Sequence, residues 1–281
     1  MKEFKDRVAV VTGAASGIGR GLADRFAAEG MRVVLADVKQ EALARAESEM
    51  QAAGANVMAV RTDVSRAGEV DALAQQTLDR FGAVHILCNN AGVGRGGASW
   101  EITLKDWQWV LGVNLWGVIN GVRAFVPIML QQGHEGHIVN TASVAGLIAG
   151  AGDAAYTASK FGVVGLSETL HHELAMASGG KIGVSLLCPA LTNTRILDSG
   201  RNHPSGPLEQ PAEGTPERGF VEMMRTIFAG GMAPSETADM VFEAIVERRF
   251  YVLTHPQHNQ RYRDRLEAML AGSPPPLLMP A

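Results

Sequence analysis

Across the first 190 residues, short unbroken apolar runs alternate with longer segments whose apolar residues recur every three or four positions. The runs at 7–12, 32–36, 56–61 and 84–88 are Val-rich and too short for helices, which predicts strands buried on both faces. Helical periodicity fills the gaps at 18–29, 40–53 and 68–80, the first two closed by Gly30 and Gly54. The same rhythm predicts helices over 104–115 and 116–131, a strand at 136–143, a long helix at 155–177 and a strand at 182–188. Strands separated by helices of this length make βαβ units and hence a parallel sheet with helices on both faces, a doubly wound α/β sandwich of three layers. With no linker before residue 190, residues 1–255 are expected to form a single domain.

The rhythm fails at 192–216, which is rich in Pro, Gly and Asn and has no period. A loop this long after the carboxyl end of a strand predicts a lid over the ligand crevice, here 192–230. Helices are expected again at 217–229 and 236–247, and a last strand at 250–254. Residues 256–281 read as a short helix ending at Gly272 and a Pro-rich tail that frays or packs on a neighbouring subunit.

Composition narrows the function. The 281 residues are 46% hydrophobic and 19% charged, with a net charge of −4 and no basic block, which argues against a nucleic-acid partner. No uninterrupted apolar run reaches the ~18 residues of a membrane span, and the charged N-terminus leads straight into the first strand, so a cytoplasmic protein is expected. Cys88 and Cys188 both close apolar strand-like runs and are expected buried and reduced.

The first strand runs into Thr12-Gly-Ala-Ala-Ser-Gly-Ile-Gly19 and then a helix. Gly13, Gly17 and Gly19 depart from the usual G-x-G-x-x-G spacing, but they serve the same physics. They let the backbone turn and approach a pyrophosphate, while the helix N-terminus, with Ile18 in its first turn, offers free N–H groups and Ser16 adds a hydroxyl. Asp37 closes the second strand 18 residues after Gly19, where a carboxylate accepts hydrogen bonds from both ribose hydroxyls of adenosine and repels a 2′-phosphate. Ala15 and Val38 beside it supply no cation for such a phosphate, so NAD is expected over NADP. On the same sheet edge, Asp63 and Val64 are placed to meet the adenine, and Asn90, Ala91 and Gly92 follow the fourth strand.

Tyr156-Thr-Ala-Ser-Lys160 lies on the long helix after the strand that ends at Ser143. Thr12–Gly19, Asn89-Asn-Ala-Gly92, Asn114, Ser143 and Tyr156-x-x-x-Lys160 together resemble, in order and spacing, the short-chain dehydrogenase/reductase family. The resemblance covers about 7–195 and, more loosely, extends to Thr254. It implies a Rossmann fold with a seven-stranded parallel sheet, metal-free NAD(P)-dependent oxidoreduction of an alcohol or ketone, and a homodimer or homotetramer. It also implies that Asn114 kinks its helix and supports a water relay from Lys160, that Ser143 holds the substrate oxygen, and that Lys160 clasps the nicotinamide ribose. Pro189 and Thr194 keep their family positions, which implies that the carboxamide meets the Thr192 backbone and the Thr194 hydroxyl, but Ala190 replaces the usual Gly.

The chemistry can be argued from the residues as well. Tyr156 and Lys160, four apart, share a helix face. A phenol needs its pKa lowered by about 3 units, roughly 4 kcal/mol, to serve as base near neutrality. The Lys160 ammonium and the positive ring of bound NAD⁺ are expected to supply it. Val144, Ala145, Leu191, Ile196, Leu197, Met223 and Met224 are expected to line a mostly apolar pocket for a secondary alcohol or ketone with an apolar or aromatic substituent. An NADP-preferring carbonyl reductase and a non-catalytic NAD(H)-binding regulator are the alternatives. His134 and His137 read as a loop before a strand, and no set of three ligands converges, so no metal is expected.

Overall fold

The computed structural model describes residues 1–209 and 211–277. Gln210 of the expected lid and the last four residues of the expected tail, 278–281, lie outside the described residues.

In chain order the elements are β1 (Val8–Thr12), α1 (Gly17–Ala28), β2 (Arg32–Asp37), α2 (Gln40–Ala52), β3 (Val57–Arg61), α3 (Ala67–Phe81), β4 (Ile86–Asn89), α4 (Leu104–Leu111), α5 (Gly117–Gln132) and β5 (Gly136–Thr141). There follow α6 (Ala154–Ala177), β6 (Ile182–Cys188), α7 (Pro216–Ala229), α8 (Pro234–Glu247), β7 (Tyr251–Leu253) and α9 (Asn259–Leu270). The described strands form one seven-stranded sheet of order β3-β2-β1-β4-β5-β6-β7, every pairing parallel. The fold is Rossmann-like, and the winding direction reverses between β1 and β4. That reversal opens a crevice at the carboxyl ends of these two strands.

The period-2 geometry of β1 shows how both faces are filled. Ala9 and Val11 join Leu22, Phe26 and Ile245 in one core layer. Val8 and Val10 join Leu73, Phe125 and Leu174 in the other. Strands buried on both faces leave no polar alternation, which is why the sequence shows unbroken apolar runs.

Four expectations are corrected. The two helices expected at 104–115 and 116–131 are one continuous helix, Leu104–Gln132, interrupted only by a π-helical turn at Gly112–Trp116. No Pro or Gly-rich break separates the halves, so the extra residue is absorbed as a bulge. The merged helix is, by length and composition, apolar enough to cross a membrane. It is nevertheless a core helix, since Asn114 and Asn120 are buried and hydrogen-bond Val93 and Val64. β5 ends at Thr141, so Ser143 stands beyond the strand and caps a 3₁₀ turn at Val144–Gly146. His137 is not in a loop but in β5, fully buried. The aperiodic segment after residue 192 contains a 3₁₀ turn, Ile196–Asn202, before α7.

Candidate active site

The glycine turn is built for close approach. Gly13 and Gly17 have φ of +68° and +57°, in the left-handed region that favours glycine. A methyl group at Gly19 would collide with the Gly13 carbonyl oxygen, and one at Gly13 would lie 3.0 Å from Ala91 Cα. Ser16 is the N-cap of α1, yet its hydroxyl makes no capping bond and the first turn carries no acid. The helix end therefore presents N–H groups and a spare hydroxyl to an anion. Asp37 reaches back over this turn: its carboxylate accepts from Ala15 N at 3.1 Å and from Lys39 N at 3.0 Å. These residues fit a dinucleotide, with the pyrophosphate at the turn and the adenosine ribose at Asp37. Gly19→Ala should lower NADH affinity at least tenfold, measured by isothermal titration, because the turn cannot relax without moving Gly13.

Thr12 couples the turn to the neighbouring strand end. Its hydroxyl accepts from Asn90 N at 2.9 Å and Ala91 N at 3.1 Å, while Asn90 Nδ2 donates to the Thr12 carbonyl at 2.9 Å. Thr12, which sequence reasoning used only to mark the start of the motif, thus ties the glycine turn to the residues after β4.

The second group of residues meets at the ends of β4 and β5. Lys160 is buried, with Nζ donating to the Thr141 carbonyl at 2.8 Å and lying 5.5 Å from the Tyr156 ring centroid. Burial lowers its pKa to about 8. A Cβ at Gly92 would stand 3.5 Å from Asn114 Oδ1 and 3.7 Å from Lys160 Nζ, so this glycine leaves a gap between the two. Asn114, on the π-helical turn, accepts from Val93 N at 2.8 Å and donates to Val93 O at 2.9 Å and Ser159 Oγ at 3.1 Å. The bulge aims its amide inward, whereas an unbroken helix would rotate it away. Ser159 gave no signal in the sequence beyond lying inside Tyr156-x-x-x-Lys160.

Ser143 Oγ accepts from Ala145 N at 3.1 Å and donates to the Pro189 carbonyl at 3.3 Å. The Tyr156 pKa moves opposite to expectation. Burial, which disfavours the phenolate, outweighs the favourable influence of the nearby Ser143 hydroxyl and pushes it up to about 12. The protein's own groups do not acidify this phenol.

Other candidates fare unevenly. Thr194 packs its methyl over the turn, 3.2 Å from where a Gly17 side chain would begin, and Thr192 is buried with its hydroxyl unpartnered. Pro189 is buried, and Ala190 adopts no positive φ, so the missing glycine costs no backbone strain here. Asp63 is less available than expected: Oδ1 accepts from Ser65 N and Oγ, and Arg66 lies 3.4 Å from Oδ2. Val64 is buried against Gly117, whereas Val38 is exposed. Val144, Ala145, Leu191, Ile196 and Met224 are partly buried, while Leu197 and Met223 are exposed. Among the tryptophans Trp109 is buried, Trp100 and Trp116 exposed. Among the described residues no group of three His, Cys, Asp or Glu converges.

A cradle for a dinucleotide beside a Ser–Tyr–Lys–Asn cluster is matched by what the chain is similar to. The family model for short chain dehydrogenases matches residues 7–204. The chain is a short-chain dehydrogenase by family. A solved short-chain dehydrogenase/reductase from Burkholderia phymatum, in complex with NAD, is 48% identical with a TM-score of 0.93, each chain covered in full. The 1-deoxy-11-beta-hydroxypentalenate dehydrogenase of Streptomyces exfoliatus is 36% identical over 97% of this chain and 92% of its own. A CLA biosynthesis dehydrogenase/reductase of Lactiplantibacillus plantarum is 32% identical over 98% of this chain and 97% of its own.

Proposed function

We propose that this short-chain dehydrogenase is an NAD-dependent enzyme that interconverts a secondary alcohol and a ketone carrying an apolar or aromatic substituent. The observation that carries the reading is the convergence of Ser143, Tyr156 and Lys160 at the ends of β4 and β5, with Lys160 Nζ donating to the Thr141 carbonyl and lying 5.5 Å from the Tyr156 ring centroid. Two hydroxyls on adjacent elements can share one substrate oxygen. Ser143 fixes it by hydrogen bonding, and Tyr156 takes the alcohol proton, or returns it in the reverse direction. Bound NAD⁺ would supply the hydride acceptor. Lys160 Nζ lies 5.5 Å from the Tyr156 ring centroid and faces Asn114 across the Gly92 gap, so a proton leaving Tyr156 has a polar route through Lys160 and Asn114.

Asp37 supports NAD over NADP, because its carboxylate occupies the position where a 2′-phosphate would bring like charge. Asp37→Ser should raise the NADP-to-NAD ratio of kcat/KM at least roughly tenfold, as read from initial rates with both cofactors; an unchanged ratio removes Asp37 from cofactor choice. The partly buried Val144, Ala145, Leu191 and Ile196 support an apolar substrate, as does the name of the Streptomyces relative, which places a hydroxyl on the compound oxidised. Exposed Leu104 and Trp116 on the long helix support assembly as a homodimer or homotetramer. A panel of aliphatic, aryl and polyol secondary alcohols, run with NAD⁺ and NADP⁺ and followed by reduced-cofactor absorbance, tests the reading. Turnover confined to polyols, or to NADP⁺, would overturn it.

A further inference from the structure

A pyrophosphate brings two negative charges to the glycine turn, and the turn itself offers little to balance them. The end of α1 supplies about half a positive charge, while the Asp37 carboxylate, held at Ala15 N and Lys39 N, adds a negative one. Arg20, in the first turn of α1, is committed elsewhere: Nε pairs with Asp24 at 2.9 Å and Nη1 with Glu49 at 2.7 Å. A cation from another element would balance the sum.

The segment after β6 carries one. Thr194 places its methyl 3.2 Å from where a Gly17 side chain would begin, and Arg195 comes next. The chain then winds through the 3₁₀ turn Ile196–Asn202, which brings Arg201 back to the start of that turn. Its Nη1 donates to the Arg195 carbonyl at 3.0 Å. The guanidinium is thereby anchored one residue from the side chain that touches the glycine turn. Asp37 approaches the same turn through Ala15, two residues before Gly17.

Arg201 is not spent on its own segment. Asp198, the acid of the 3₁₀ turn, is shared between Arg225 at 2.9 Å and Arg195 at 3.8 Å. Among the described residues Arg201 has no ion pair and no hydrogen bond besides that to Arg195, so most of its N–H donors are left over. The side chain is half-buried. Burial and then Arg195 lower its pKa, and the carboxylates that oppose them are Asp198 and Asp37. The guanidinium stays charged nonetheless.

We infer that Arg201 is a cofactor-binding residue, which holds the pyrophosphate of the dinucleotide as the cation that the glycine turn itself lacks. A guanidinium fork matches two phosphate oxygens, and its bond to the Arg195 carbonyl fixes the arm before the ligand arrives, so little side-chain freedom is lost on binding. The anchor beside Thr194 and Gly17 favours the pyrophosphate over a 2′-phosphate, because Asp37 stands at the ribose end. The inference rests on the dinucleotide reading of the cradle.

ADP-ribose carries the pyrophosphate and needs no turnover; adenosine lacks it. Arg201→Gln keeps a donor for the Arg195 carbonyl and loses the charge, whereas Arg201→Lys keeps the charge without the fork. By isothermal titration, ADP-ribose affinity should fall roughly tenfold or more in Arg201→Gln and roughly threefold in Arg201→Lys. Adenosine affinity, followed by ligand-observed NMR, should stay within about twofold in both, since no phosphate is there to lose its partner. Binding of ADP-ribose should also weaken more steeply with salt in the natural protein than in Arg201→Gln. Unchanged ADP-ribose affinity in Arg201→Gln overturns the contact, even if NADPH affinity falls, since the arginine would then read a 2′-phosphate. An equal loss for adenosine overturns it too, because the site as a whole would have changed shape. If the natural protein binds neither ADP-ribose nor NADH, it is the dinucleotide reading that fails.

Discussion

Tyr156→Phe is expected to lower kcat by roughly 10²–10⁴-fold, the usual worth of a positioned acid or base, while NADH affinity stays within about twofold. The substitution removes one oxygen and keeps the ring, which packs among Val93, Trp109 and Ala155. Ser143 keeps its bonds to Ala145 N and the Pro189 carbonyl, so the substrate-oxygen site survives without its proton acceptor. Lys160 keeps its bond to the Thr141 carbonyl, and the glycine turn is remote from the change. Initial rates and NADH fluorescence titration on the same preparation separate the two effects. A variant retaining more than a tenth of the natural kcat would assign the proton transfer to another group.

The phenol is also where reading the sequence and reading the structure diverge most instructively. Tyr156-x-x-x-Lys160 is legible because helical periodicity puts residues four apart on one face. What periodicity cannot report is depth. Lys160 is buried and turned to the Thr141 carbonyl, and burial moves its pKa and that of Tyr156 away from the charged forms. The glycines of the turn and Asp37 were equally legible, since a strand-turn-helix sets their geometry within a few residues. Asn114 was legible as a residue and, through the resemblance, as a kink in its helix, but periodicity in Gly112–Trp116 does not mark where the extra residue of the π-helical turn is absorbed. Asp63 shows the converse: its place after β3 was right, but Ser65 and Arg66 are local competitors for its oxygens.

Acidification should destabilise the fold well above the range in which carboxylates titrate, because two histidines are built into it neutral. His85 is buried, with Nδ1 accepting from Val8 N at 3.1 Å. Burial, then repulsion from Arg7, His134 and Arg32, lowers its pKa to about 4. His137, fully buried in β5, is more constrained. Ser185 Oγ gives its proton to the Arg249 carbonyl at 2.6 Å, so it accepts from His137 Nε2 at 2.8 Å. Nδ1 has no partner, and Gly183 has no room even for a Cβ beside it. Burial, then repulsion from the N-terminal ammonium and Arg248, lowers its pKa to about 3. Both folded pKa values lie below the unfolded one of about 6.5. The unfolded chain therefore binds protons that the fold refuses, and stability present above pH ~6.5 is lost as pH falls toward 4 and then 3. Each histidine contributes a loss on the order of 3–5 kcal/mol across its window, enough to consume a large part of a domain's 5–15 kcal/mol. Urea unfolding at about pH 7 and pH 5 measures it, with a slope of up to about 2.7 kcal/mol per pH unit while both groups titrate only in the unfolded chain. His137→Gln keeps a donor toward Ser185 and has nothing to protonate, so its slope should be about half the natural one, even though its stability at neutral pH is lower. Equal slopes in the two proteins would mean that His137 accepts its proton inside the fold, and that the strand opens around it more readily than its packing allows.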